Sequence, residues 1–201
     1  MARPQAADYH ERRDAIADKA AELYGEFGFS GSSIMDLANA CGMSKSLLYH
    51  YFSSKEDILF EIMDEHVTTL GRIVERLQNK PDPKQRLAAL THAFVATCLS
   101  GAHRHKVLLE DLNKLPPHRR KTIVAKQRVL LSTVEAILDE ISPTLAKQPQ
   151  ARRAACMIYF GMVNSTHAWF DAKGALSVSD VAELTVGVFL RGVLANPTHH
   201  Q

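Results

Sequence analysis

Between Ser44 and Phe52 the sequence reads Ser-Lys-Ser-Leu-Leu-Tyr-His-Tyr-Phe. Wound as a helix at about 100° per residue, this run separates into two arcs. Ser44, Leu48, Tyr51 and Phe52 gather on one side, and Lys45, Ser46, Tyr49 and His50 fill the other. The first arc can pack and the second can reach. The reaching side carries the chemistry of a duplex reader: a lysine for guanine acceptors or phosphate, a serine for either, a tyrosine hydroxyl and an imidazole for phosphate oxygens. Ser33, Ser44 and Leu47 complete the candidate set, and Lys55 is placed where the free N–H groups of the next helix favour a phosphate.

Those residues need elements to hold them. Helical periodicity dominates the chain and no alternating strand or hairpin signal appears, so the expected class is all-α. A first helix is expected from about Tyr9 to Phe27, with Ile16, Ala20, Leu23 and Phe27 on one stripe and Gly28 as its stop. Ser33-Ile34-Met35-Asp36 reads as a capping box for a second helix ending at Cys41-Gly42. A third begins at Ser44 after a turn of Gly42 and Met43. Ser53-x-x-Glu56 reads as the box of a fourth, whose apolar positions run to about Asn79 before Pro81 and Pro83 stop it. Further helices are expected at about 84–101, 103–114, 117–141, 150–172 and 179–195. The domain division drawn from this is 1–56 for a helix-turn-helix unit and 57–201 for effector binding and dimerisation.

Charge is uneven along the chain. The net charge is +2, yet residues 1–60 carry six Lys/Arg against nine Asp/Glu. No acid lies between Asp36 and Glu56, where Lys45, His50 and Lys55 fall, so the positive potential is local. A basic island at 103–128 holds eight Lys/Arg against Glu110 and Asp111. Composition, with 46% hydrophobic and 23% charged residues, excludes disordered and collagen-like classes. No apolar run is long enough to span a bilayer, and no secretory signal is visible, so no membrane partner and a cytoplasmic location are expected. Cys41, Cys98 and Cys156 suit buried thiols in a reducing cytosol better than a disulfide framework or a zinc site, and Cys41 and Cys98 read as small apolar fillers rather than redox sensors.

The runs Gly28-Phe29, Ser32-Ser33-Ile34, Asp36-Leu37-Ala38, Ala40 to Phe52 and Ser54 to Leu59 resemble the N-terminal domain of tetracycline-repressor (TetR) family transcription regulators. The likeness spans about residues 10–60, and its most specific stretch is Leu48-Tyr49-x-Tyr51-Phe52-x-x-Lys55. It implies an all-helical homodimer whose N-terminal domain binds a palindromic double-stranded operator, with a larger C-terminal domain that takes a small-molecule effector. Ser46 stands where the family often has Gly, and Cys41 where it often has Ala.

In the C-terminal half, the run Ala155 to Phe170 is apolar nearly all round and is expected to be buried. Met157, Phe160, Asn164 and His167 share one of its faces. The amide and imidazole are either a satisfied pair in the dimer interface or partners for a ligand carbonyl or carboxylate. The helices at 150–172 and 179–195 are expected to form the dimer contact, with Ala154, Gly187 and Gly192 allowing close approach and Val181, Leu184 and Val188 supplying apolar surface. Gly161 to Leu184 also resembles relatives that sense acyl-CoA thioesters. On that reading Phe94, Leu109, Phe160 and Trp169 line an effector pocket, Asn164 or His167 orients the ligand, and Arg104, Arg119 or Arg120 holds phosphate at its mouth; otherwise the island is a solvated face. A metal sensor using His92, His103, His105 and His118 is the alternative, although His103 and His105 diverge on a helix. Enzymatic function is not expected: no nucleophile elbow, P-loop, dinucleotide glycine pattern or His-Glu-x-x-His is present, and no cofactor motif.

Overall fold

The computed structural model describes residues 3–195, with side chains from Asp8 to Leu194; the terminal Thr198 to Gln201, to which the sequence assigns no role, lies outside them. Among the described residues there are ten α-helices and one 3-10 turn, with no strand: α1 Arg3–Phe27, α2 Ile34–Ala40, α3 Lys45–Tyr51, α4 Lys55–Leu77, α5 Pro83–Ser100, α6 Ala102–Asp111, the 3-10 turn Leu112–Lys114, α7 Pro117–Ile141, α8 Pro143–Ala146, α9 Pro149–Trp169 and α10 Val178–Ala195. Helix α1 starts six residues earlier than its apolar stripe indicates. The short α8, capped by Ser142, has no counterpart in the periodicity, because four residues cannot display one.

Two compact units form. The first takes the chain up to Val67 together with His103–Val124; the second takes Thr68–Ala102 and the chain from Ala125 onward. Helices α4 and α7 each contribute to both.

The first unit is built on α1, where Ile16, Ala17, Ala20, Ala21 and Tyr24 are buried at the three- and four-residue spacing of one helix face. The three alanines leave room for large partners: Leu37 of α2, Leu48 of α3 and Ile58, Leu59, Ile62 and Met63 of α4 are almost wholly buried. Gly28 ends α1 at φ 76°, its N–H bonded to the Tyr24 carbonyl at 2.8 Å, and Gly42 makes the α2–α3 turn at φ 64°. Both are left-handed positions that a side chain would strain. Helix α2 has the expected box, with Ser33 and Asp36 each accepting the other's N–H at 3.1 and 2.8 Å. The box at α4 is shifted by one: Ser54, not Ser53, accepts the Asp57 N–H, at 3.0 Å. Glu56 is therefore not the capping carboxylate.

In the second unit α5 packs against both α9 and α10, and α9 is also met by α8. Its core holds Leu87, Leu90, Phe94, Val95, Cys98, Tyr159 and Val163. The Tyr159 hydroxyl, fully buried, bonds Thr91 Oγ1 at 3.0 Å, which satisfies both groups in an apolar setting. The expectation that 155–170 is buried all round is corrected: Cys156, Tyr159, Val163 and Thr166 point inward, whereas Met157, Ile158 and Trp169 are more than half exposed. The neighbours of α9 cover one side of it only.

A second buried polar pair lies in the first unit. His66 Nε2 of α4 meets His105 Nδ1 of α6 at 3.0 Å, both rings buried. Burial, then the neighbouring His105 and Arg104, push the His66 imidazole down to about 3, so it is neutral in the folded protein. An unfolded histidine titrates near 6.5. The stability this gives is complete above that value and is lost as pH falls from about 6.5 toward 3, at up to about 1.4 kcal/mol per pH unit. Urea melts at pH 7, 6 and 5 should show the wild type losing stability more steeply than His66→Gln; equal slopes would remove this histidine as the source.

Candidate nucleic-acid interface

Helix α3 is seven residues long and depends on its neighbours for stability. Ser44 caps it, accepting the Leu47 N–H at 3.1 Å, and Leu48, Tyr51 and Phe52 anchor it in the core. Around those anchors Ser44, Lys45, Ser46, Leu47, Tyr49 and His50 are all exposed. Lys45 Nζ sits 5.9 Å from the centre of the Tyr49 ring, so these two form one cationic and aromatic projection. Ser33, at the N-terminus of α2, is also exposed. Seven of the eight candidate DNA contacts thus lie on solvent-facing surface.

Lys55 is the exception. Its ammonium donates to the carbonyls of Phe29 and Ser32 and lies 4.0 Å from the centre of the Phe29 ring. Burial holds its pKa below the usual lysine value, with Glu56, Asp111 and Asp36 opposing that trend. The side chain folds inward, because two carbonyls of the α1–α2 turn have no helical partners and a cation satisfies both.

Two residues that the sequence does not mark as part of the site, Arg13 and Tyr9, hold the C-terminal end of α3. Arg13 of α1 bonds Glu61 of α4 at 2.6 Å, donates to the Tyr51 carbonyl at 3.3 Å and stacks 4.4 Å from the Phe52 ring centre. Tyr9 stacks on Tyr51 at 5.0 Å. Both contacts join residues some forty positions apart, so no local pattern announces them.

The basic island has an unanticipated place. Arg104 bonds Asp18 and Glu65 at 2.7 and 2.5 Å; Lys106 donates to the Gly25 carbonyl at 2.7 Å. Asp111 accepts the Phe29 N–H at 3.3 Å, with burial raising its pKa. Arg119 pairs with Asp57 and covers the Phe60 ring at 5.0 Å. These contacts all lie within the first unit. Of the cations assigned to an effector phosphate, Arg104 and Arg119 are neutralised by carboxylates, and only Arg120, bonded to Asn113 at 3.4 Å, is not. The remaining candidates divide: Leu109 belongs to the first unit, and Phe94, Phe160, Asn164, His167 and Trp169 to the second.

In that second unit Phe94 and Phe160 lie 6.2 Å apart, Phe94 buried and Phe160 partly so. His167 is half-buried, its Nδ1 2.6 Å from the Asn164 carbonyl, and the exposed Trp169 approaches Ser165 Oγ at 3.5 Å. Between α9 and α10 runs an apolar groove of about 360 Å³, lined by Ala154, Ile158, Met162, Val188 and Gly192 among others. Leu184 and Val188 are exposed on α10 and Val181 is buried, so the apolar surface assigned to that helix is divided between inside and outside. Burial pushes the Cys98 thiol up to about 12 and that of Cys156 to about 11, which disfavours the thiolate at both. His92, His103 and His118 belong to no group of three potential metal ligands among the described residues. No helix among them is long and apolar enough to cross a membrane.

A capped, exposed reading helix held over a tight glycine turn on a longer supporting helix defines a helix-turn-helix DNA-binding protein. Comparison with known proteins agrees. Residues 16–62 match the pattern described as "Bacterial regulatory proteins, tetR family", and residues 80–193 that described as "Tetracyclin repressor-like, C-terminal domain". The chain belongs to the TetR family, whose members are DNA-binding transcription regulators and not enzymes. A TetR-family regulator from Bordetella parapertussis superposes with a TM-score of 0.86 over 92% of this chain and 96% of its own, at 38% identity. AibR, solved with isovaleryl coenzyme A and operator DNA, gives 0.79 over 88% and 97% at 27% identity. The transcriptional activator FasR of Mycolicibacterium smegmatis is 25% identical over 179 residues, 88% of this chain and 80% of that protein.

Replacing Lys55 tests its inward role. Lys55→Met should lower stability by about 1.5–3 kcal/mol, the usual worth of hydrogen bonds to a charged group, while the salt dependence of DNA binding stays as in the wild type. Unchanged stability with a salt slope reduced by about one unit would return Lys55 to the phosphate.

Proposed function

We propose that this protein binds a palindromic operator as a homodimer, through α3 of each protomer in successive major grooves, and represses until an acyl-CoA thioester lowers its DNA affinity. The observation that carries the DNA reading is the division of α3 into a buried side of Leu48 and Tyr51 and an exposed side of Lys45, Ser46, Leu47, Tyr49 and His50. Two such helices about 34 Å apart, one turn of B-DNA, would read the two half-sites. A dimer built on α9 and α10 would cover Met157, Ile158, Leu184 and Val188, apolar side chains that a monomer leaves in water. Transcription regulation of this kind is expected in the cytoplasm.

The likeness to AibR supports an acyl-CoA effector. The acyl group would enter the second unit near Phe94 and Phe160, with Asn164 or His167 as the polar group that orients it. Because Arg104 and Arg119 are already paired, neither is assigned to the phosphates of the ligand. Effector binding would act on α3 through α4, which follows α3 after three residues, is about 35 Å long and contributes residues to both units. A coupling of about 1–3 kcal/mol, ordinary for such linkage, corresponds to a five- to hundred-fold loss of operator affinity.

Two measurements check the proposal. With a duplex selected by the protein from a random pool, Lys45→Ala should reduce discrimination between that duplex and unrelated DNA by about 1–3 kcal/mol, and equal discrimination by variant and wild type would exclude Lys45 from base reading. Titrating isovaleryl-CoA and longer acyl-CoAs into the protein–operator complex should release DNA, with the free acids and CoA alone inactive. Release by a free acid would reassign the effector class.

A further inference from the structure

The corner between α6 and α7 does not serve the site described above. From Leu112 to Val124 the sequence contains Lys114, His118, Arg119, Arg120 and Lys121 and no carboxylate. Arg119 is consumed by Asp57, and it also approaches the Glu56 carbonyl at 3.5 Å. The other four are exposed, and none forms an ion pair among the described residues. Lys114 feels the field of Asp111, and Arg120 touches only the amide of Asn113. Arg120 and Lys121 thus place two exposed cations in the first turns of α7, with Lys114 and the imidazole of His118 nearby in sequence and no carboxylate in the segment, an arrangement that favours an anionic partner.

The position of this corner says which anion. Arg119 fastens it to the first turn of α4, and α4 begins only three residues after the DNA-reading helix. Asp111 fastens its other end to Phe29, in the turn that leads to α2 and the exposed Ser33. The corner is thus tied to the two elements that flank α3, to α4 through Arg119 and Asp57 and to the turn before α2 through Asp111 and Phe29. On α3 itself Lys45 is the one lysine or arginine, and Lys55 is turned inward onto the Phe29 and Ser32 carbonyls. A DNA backbone carries one charge per about 1.7 Å of axis and extends past the bases being read.

We propose that Lys114, His118, Arg120 and Lys121 form an auxiliary contact with the phosphate backbone at the outer edges of the operator, supplied by a segment that lies outside the helix-turn-helix in sequence. The inference rests on the α3 reading. It adds a sequence-independent grip beside the head and leaves base discrimination to α3.

The test uses the full-length double variant Arg120→Gln/Lys121→Gln, two exposed positions that hold no ion pair, with circular dichroism and thermal melting confirming an intact fold. Without effector, binding to the selected operator and to an unrelated duplex is measured from 50 to 200 mM salt. Both affinities should fall by the same factor, about ten-fold, and the log–log salt slope should shrink by about one unit for each phosphate the variant no longer neutralises. Hydroxyl-radical protection should recede at both outer edges of the footprint and persist at its centre. An unchanged slope and footprint would overturn the proposal, as would a weakening confined to the operator or to the acyl-CoA response. A wild type with no salt-dependent duplex binding would instead overturn the α3 reading on which this one stands.

Discussion

The turn between α1 and α2 has to reverse the chain within a few residues of the core, and its carbonyls at Phe29 and Ser32 find no helical donors there. Lys55 supplies both bonds from the start of α4, and Asp111 takes the Phe29 N–H from the end of α6. A cation and a carboxylate from distant parts of the chain thereby close one turn. Leaving such buried groups unpaired costs about 1–3 kcal/mol each, so α2, α4 and α6 are held in one arrangement. The orientation of α3 follows from it, because α3 is joined to α2 by the Gly42 turn and to α4 by three residues. Arg13 then fixes its far end through the Tyr51 carbonyl.

Once that turn is closed, the charge pattern along the chain acquires a different meaning. Asp18 and Asp57, two of the nine acids that make residues 1–60 formally negative, are countered by Arg104 and Arg119 of the basic island, and Arg104 also meets Glu65. For Arg104 and Arg119, which the sequence leaves open between an effector phosphate and a solvated face, the structure supplies carboxylate partners within the same folded unit. Among the described residues Lys114, His118, Arg120 and Lys121 of the same island form no ion pair. The compact unit that presents α3 is accordingly larger than a segment ending at residue 56, and it is assembled from two stretches of chain.

The second unit has the opposite economy of polar groups. Its interior buries hydroxyls, Tyr159 paired with Thr91 and Thr166 and Thr185 donating to backbone carbonyls, within a core of leucine, valine and phenylalanine, while α9 and α10 leave Ile158, Leu184 and Val188 facing water. Apolar residues at these positions destabilise nothing in the isolated chain, yet they are the surface on which association would gain most. A helix that looks apolar all round in sequence can therefore be one buried against its own chain on one side and available to another chain on the other.

The helix-turn-helix was legible in the sequence because its determinants are local. Capping at Ser33 and Ser44, the left-handed turn at Gly42, and the opposed faces of Leu48 with Tyr51 and Lys45 with Tyr49 each involve residues within a turn or two of one another, where backbone geometry fixes what can meet. The inward role of Lys55, the Arg13 and Tyr9 struts, the partners of Arg104 and Arg119, and the half-exposure of α9 were decided only by tertiary structure. Each depends on which side chain from twenty to ninety positions away arrives at the same place. A long, flexible cation has the same local sequence signature whether it meets a phosphate, a carboxylate or a backbone carbonyl, and only packing chooses among them.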